Sequence, residues 1–66
     1  MSEIKLALER ANKYIKAESI ALSEVAGLTH IPERTLYNWF GGHTTPNNSM
    51  LNSFIDRFER AYRVKL

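Results

Sequence analysis

The sequence predicts an all-α fold, a small bundle of four helices within a single domain of 66 residues. Three observations carry this. Apolar residues recur at helical spacing along the chain, no stretch alternates with the period of two that marks a strand, and breaker-rich segments divide the chain into four pieces.

The first piece has Ile4, Leu8, Ala11 and Ile15 on one face, with Lys5, Glu9, Lys13 and Lys16 falling mostly on others. Ser2 is placed to cap it and Glu3 sits in its first turn, so a helix is expected over about 3–17. Glu18-Ser19 breaks the pattern, and a short second helix over about 21–28 turns Leu22, Val25 and Ala26 inward. Thr29-His30-Ile31 forms the following turn. Pro32 suits the first turn of a third helix, because its missing N–H costs nothing there. That helix runs to Phe40 and stops at Gly41-Gly42. His43 to Asn48 reads as a loop, Asn48 or Ser49 caps a final helix, and Met50, Leu51, Phe54, Ile55, Phe58 and Tyr62 form its apolar stripe.

A chain this short buries only about 60% of its unfolded surface. The absence of cysteine removes disulfides and thiolate zinc sites, which leaves association with a second copy as the remaining support, so a homodimer is expected. No basic region leads into an apolar run at the N-terminus, and no apolar stretch approaches the roughly 18 residues of a membrane span. A soluble, cytoplasmic protein without membrane contact is expected. Nine basic against seven acidic residues give a net charge of +2, too mild for a protein that lives on phosphate attraction alone.

The informative stretch runs from Glu24 to Phe40. Ala26 is small where the second helix must approach its neighbour, Ile31 plugs the turn, and Leu36 and then Trp39 and Phe40 pin the third helix to the core. This order resembles the bacterial helix-turn-helix family, and most closely the reading head of the tetracycline-repressor type. There, an acidic-Ile-Ala segment, a turn and Thr-Leu-Tyr-x-x-Phe follow one another; here stand Glu24-Val25-Ala26, then Thr35-Leu36-Tyr37 and Phe40, without insertion. The resemblance covers about 17 to 20 residues and does not extend to that family's ligand-binding domain. The segment after Gly42 looks more like compact phage-repressor and Cro-type domains. Two positions depart from the pattern. His30 stands where such motifs usually hold a glycine with φ > 0, a conformation costing histidine about 1 kcal/mol, and Thr29 stands where a small or apolar residue is usual.

The resemblance implies a third helix lying in the DNA major groove. With Leu36, Trp39 and Phe40 inward, its outer face is Glu33, Arg34, Tyr37 and Asn38, with Pro32 at the tip. Arg34 can donate two bonds to guanine and Asn38 can pair with adenine. Glu33 can accept from cytosine or orient Arg34, and Tyr37 can reach a phosphate or a thymine methyl. Backbone contacts through Pro32, Thr35, His43, Thr44 and Thr45 would set register without reading sequence.

Other chemistries find little support. His30 and His43 are isolated, with no third ligand, so no metal, cofactor or small-molecule ligand is expected. No glycine-rich phosphate loop or nucleophile elbow is present, and the chain does not read as an enzyme. The run Arg57 to Leu66 is a basic, partly apolar tail. It reads as a solvated helix end, as a dimer contact through Tyr62, Val64 and Leu66, or as a phosphate contact through Arg60, Arg63 and Lys65. The leading expectation is a transcriptional regulator, a phage- or plasmid-type repressor that binds an inverted repeat of double-stranded DNA as a homodimer. The alternatives are an accessory factor for excision, partition or replication, and a protein-interaction module on the same fold.

Overall fold

The computed structural model describes residues 3–66, with side chains from Leu6 onward. Four helices follow one another, α1 (Glu3–Ala17), α2 (Leu22–Thr29), α3 (Glu33–Phe40) and α4 (Asn48–Tyr62), and no strand occurs among the described residues. The chain is the all-α, four-helix bundle that the apolar spacing predicts. α1 spans the expected residues. The proposed cap at Ser2 and the inward side chain of Ile4 lie outside what is described.

Local chemistry sets each boundary. α1 closes in a Schellman turn: Ser19 takes φ 52° while the Ile20 N–H donates to the Ile15 carbonyl at 2.9 Å and the Ser19 N–H to that of Lys16 at 3.2 Å. α2 lies one residue later than the sequence suggests. Ala21 remains extended, and Thr29 is the last helical residue, with its buried hydroxyl donating back to the Val25 carbonyl at 2.7 Å. Pro32 is the N-cap of α3 rather than its first helical residue, since its ψ of 140° is extended although its carbonyl already accepts from the Leu36 N–H at 3.1 Å. The cap of α4 is Asn47, not Asn48 or Ser49. Its side-chain oxygen accepts from the Met50 N–H at 2.8 Å, and Asn48 is already helical.

Every helix contributes to one core, made of Ala11 and Ile15 from α1, Val25 from α2, Ile31 from the turn, Leu36 and Trp39 from α3, and Leu51, Phe54 and Phe58 from α4. Fully burying a Leu, Val or Phe contributes about 1.5–3 kcal/mol, so this set is the chief support of so short a chain. Aromatic rings form its spine: Trp39 meets Phe54 edge-on at 6.0 Å, Phe54 meets Phe58 at 5.6 Å, and Tyr14 meets Phe58 edge-on at 5.9 Å. Leu22, Ala26, Phe40, Ile55 and Tyr62 pack at the margin. Met50 departs from the expected stripe and is exposed. It precedes the buried Leu51 by one residue, about 100° around the helix and away from the core.

α4 ends, like α1, on a left-handed residue, Arg63 at φ 53°, with the Val64 N–H donating to the Glu59 carbonyl at 3.2 Å. The tail then folds back on its own domain. The Leu66 N–H donates to the Glu59 carboxylate at 2.7 Å, Arg10 of α1 donates to the Leu66 carbonyl at 2.6 Å, and Val64 and Leu66 pack against the core. No helix among the described residues is long and apolar enough to cross a membrane.

Candidate nucleic-acid interface

α3 has eight residues and two unlike faces. Leu36 is fully buried and Trp39 nearly so, while Glu33, Arg34 and Tyr37 are exposed and Thr35 and Asn38 half-buried. The geometry behind this is simple. Leu36, Trp39 and Phe40 fall within about 100° of one another around the helix axis, which leaves Arg34 and Asn38 opposite and Tyr37 and Thr35 on the flanks.

The turn that presents α3 is short and held from inside. His30 adopts φ 58° and ψ 30°, so the backbone is left-handed at the position the sequence marks for it. Ile31 is buried behind it and Pro32 is exposed at the tip. From the other side Arg57 of α4 reaches the carbonyl of Thr29, the last residue of α2, at 2.9 Å. Tyr62, also on α4, donates its hydroxyl to the carboxylate of Glu24 in the first turn of α2 at 2.8 Å. α4 therefore grips α2 at both ends. Burial, and then the hydrogen bond to Glu24, push the Tyr62 hydroxyl up to about 12.

Beyond α3 the chain wraps over the helix end. The Gly41 N–H donates to the Tyr37 carbonyl at 2.9 Å and Gly42 takes φ 78°, a turn that only glycine makes without strain. The N–H groups of His43 and Thr44 both donate to the Asn38 carbonyl, at 2.9 and 3.4 Å. Asn38, which the sequence places fully outward, is half-buried. The His43 ring stacks on Tyr37, with centroids 6.3 Å apart and planes 16° from parallel. A Cβ on Gly41 would stand 2.9 Å from that ring and 3.1 Å from the Tyr37 carbonyl, so a larger residue there would displace the His43 ring. His43, Thr44 and Thr45 are all exposed.

Tyr37 is 64% exposed and divides two open hollows. One, of about 420 Å³, is lined by Leu22, Glu33, Arg34 and Tyr37. The other, of about 330 Å³, lies between α1 and α3, with Lys16, Leu22 and Tyr37 on its rim. Arg34 and Lys16 thus stand on either side of one tyrosine, and no ion pair among the described residues engages either of them; the Arg60–Asp56 pair lies on α4. Lys16 is an exposed cation beside this face that the sequence reading does not single out. Its only signal there is a cation in the last turn of α1, flanking the apolar face, which many solvated helix ends would share.

Tyr62, Val64 and Leu66 do not join this surface. All three are partly buried and pack against the core of their own domain, which already gives these apolar tail residues a partner within the chain. Arg60 is engaged by Asp56 at 3.4 Å. Among the described residues no group of three or more His, Cys, Asp or Glu comes together, and no buried side-chain nitrogen or oxygen lacks a hydrogen-bond partner. The chain matches no protein-family model, no curated protein and no solved structure.

Proposed function

We propose that the chain is a sequence-specific DNA-binding protein, a transcriptional regulator that represses by occupying an inverted repeat as a homodimer. The observation that carries this reading is α3 itself. Leu36 and Trp39 fix one face of it in the core, while Arg34 and Tyr37 stand exposed on the other, with Asn38 beside them. Eight residues make a helix about 12 Å long, comparable to the roughly 12 Å width of the major groove. Arg34 then reads guanine through two parallel N–H bonds and Asn38 reads adenine. Tyr37, the stacked His43, Thr44, Thr45 and Lys16 set the register through phosphates.

Size argues for two copies. The Cα extents are 26 × 24 × 20 Å, whereas successive major grooves on one side of the duplex lie roughly 34 Å apart. One domain therefore occupies one groove, and a second copy supplies both the other half-site and another +2 of charge. The protein works as a binder rather than an enzyme, needs no cofactor, and acts in the cytoplasm where the DNA lies.

Titration of the isotopically labelled protein with a mixed-sequence duplex of about 20 base pairs, followed by NMR, tests the location of the interface. Non-specific binding uses the same electrostatic face as specific binding, so amide shifts should cluster on Lys16, Arg34, Tyr37, Asn38 and His43 to Thr45. Shifts centred on Asp56 and Arg60, on the outer side of α4, would contradict the proposal.

A further inference from the structure

We infer that Arg57 is a positioning residue for DNA reading: by gripping the end of α2 it fixes the angle at which α3 leaves the turn. The inference rests on the proposed role of α3.

The direction of α3 is decided over very few residues. α2 ends at Thr29, His30 turns left-handed at φ 58°, Ile31 is buried, and α3 begins at Glu33. Thr29 is the hinge point of this segment. Its side chain is fully buried and its hydroxyl is committed to Val25. Its carbonyl is among the last four of the helix, which have no donor within the helix. The Arg57 guanidinium fills that vacancy from α4, 28 residues further along the chain, at 2.9 Å. A cation at this end of a helix also suits the backbone dipole, and a charged donor makes the stronger bond.

What makes this a positioning contact is where it acts. Base readout tolerates errors of about 0.5 Å and 10–20°. α3 has only Leu36, Trp39 and the margin residue Phe40 to anchor it, so a small rotation at Thr29 displaces Arg34 and Asn38 together. The planar guanidinium fixes direction as well as distance, which an ammonium on a flexible stem does not. With its guanidinium turned onto Thr29, Arg57 acts on the DNA through α3.

A matched control exists in the same molecule. Arg10 also donates a guanidinium bond to a main-chain oxygen, that of Leu66 at 2.6 Å, on α1 and the tail rather than on α2 or α3. Arg57→Met and Arg10→Met remove the same charge and, in each case, one guanidinium bond to a main-chain oxygen. Each variant is measured against the consensus duplex that the wild type selects from a random library and against a random-sequence duplex, at a temperature where melting curves show it folded. The expected result is a fall of about tenfold in the consensus-to-random affinity ratio for Arg57→Met, with Arg10→Met within about twofold of wild type and Arg57→Lys intermediate. An unchanged ratio in Arg57→Met, or an equal fall in Arg10→Met, overturns the inference. Should Arg57→Met not fold, Arg57→Lys decides: a ratio below wild type supports positioning, and a wild-type ratio overturns it. A wild type that selects no consensus would instead overturn the role of α3, and this inference with it.

Discussion

At the scale of single residues, His30 shows a local cost accepted to make a turn. Its φ of 58° lies in the left-handed region, which costs an L-residue about 1–2 kcal/mol and glycine almost nothing. The side chain is exposed, so little packing offsets that cost. His30→Gly should therefore stabilise the domain by about 1 kcal/mol and raise its melting temperature by about 4–8 °C. A thermal melt with an unchanged or lower midpoint would mean that the imidazole makes a compensating contact. The left-handed backbone here was legible through the resemblance to helix-turn-helix motifs, which usually hold a glycine with φ > 0 at this position. The cap of α4 was less legible. Asn47, Asn48 and Ser49 all have side chains able to cap, and only the backbone shows that Asn47 is the extended one.

At the scale of elements, α2 and α3 are short helices placed largely by what packs on them. Eight residues lie below the length at which a helix is stable alone in water. α4 supplies the missing support through Phe54 and Phe58 and through the bonds to Thr29 and Glu24. The Tyr62–Glu24 bond carries a definite pH signature. Burial and the adjacent carboxylate raise the folded-state value of Tyr62 to about 12, above the ordinary 10 of the unfolded chain. Folding thus favours the protonated hydroxyl, so the contribution is fully present below pH 10 and is lost as pH rises toward 12. Between those limits the wild type should lose stability more steeply than Tyr62→Phe, as read from urea midpoints. Parallel slopes would show that the bond does not persist in solution. The helical stripes were legible because periodicity is a local property. The bonds from Arg57 and Tyr62, spanning 28 and 38 residues, were not, because nothing local marks which distant carbonyl or carboxylate a polar side chain will meet.

At the scale of the whole molecule, the aromatic spine and the returning tail account for how 66 residues hold a core without disulfides. The sequence showed the fold class through helical spacing and the breaker segments between the stripes, and it showed most of the exposed face of α3 because the inward residues determine the outward ones. It did not show that the tail folds back, since that return rests on the Glu59 and Arg10 bonds and leaves no periodic trace. The proposed regulator needs two such domains, because the longest Cα extent of one is 26 Å and the half-sites lie roughly 34 Å apart.

The most direct test of the central claim is selection of bound sequences from a random duplex library at about 150 mM salt, where phosphate attraction alone is weakened. Wild type and the Arg34→Ala/Asn38→Ala variant are compared side by side. Base reading by α3 predicts a consensus of two inverted half-sites about one helical turn apart, lost in the variant while weak, salt-sensitive binding survives. The same consensus recovered by both proteins, or none recovered by either, would contradict it.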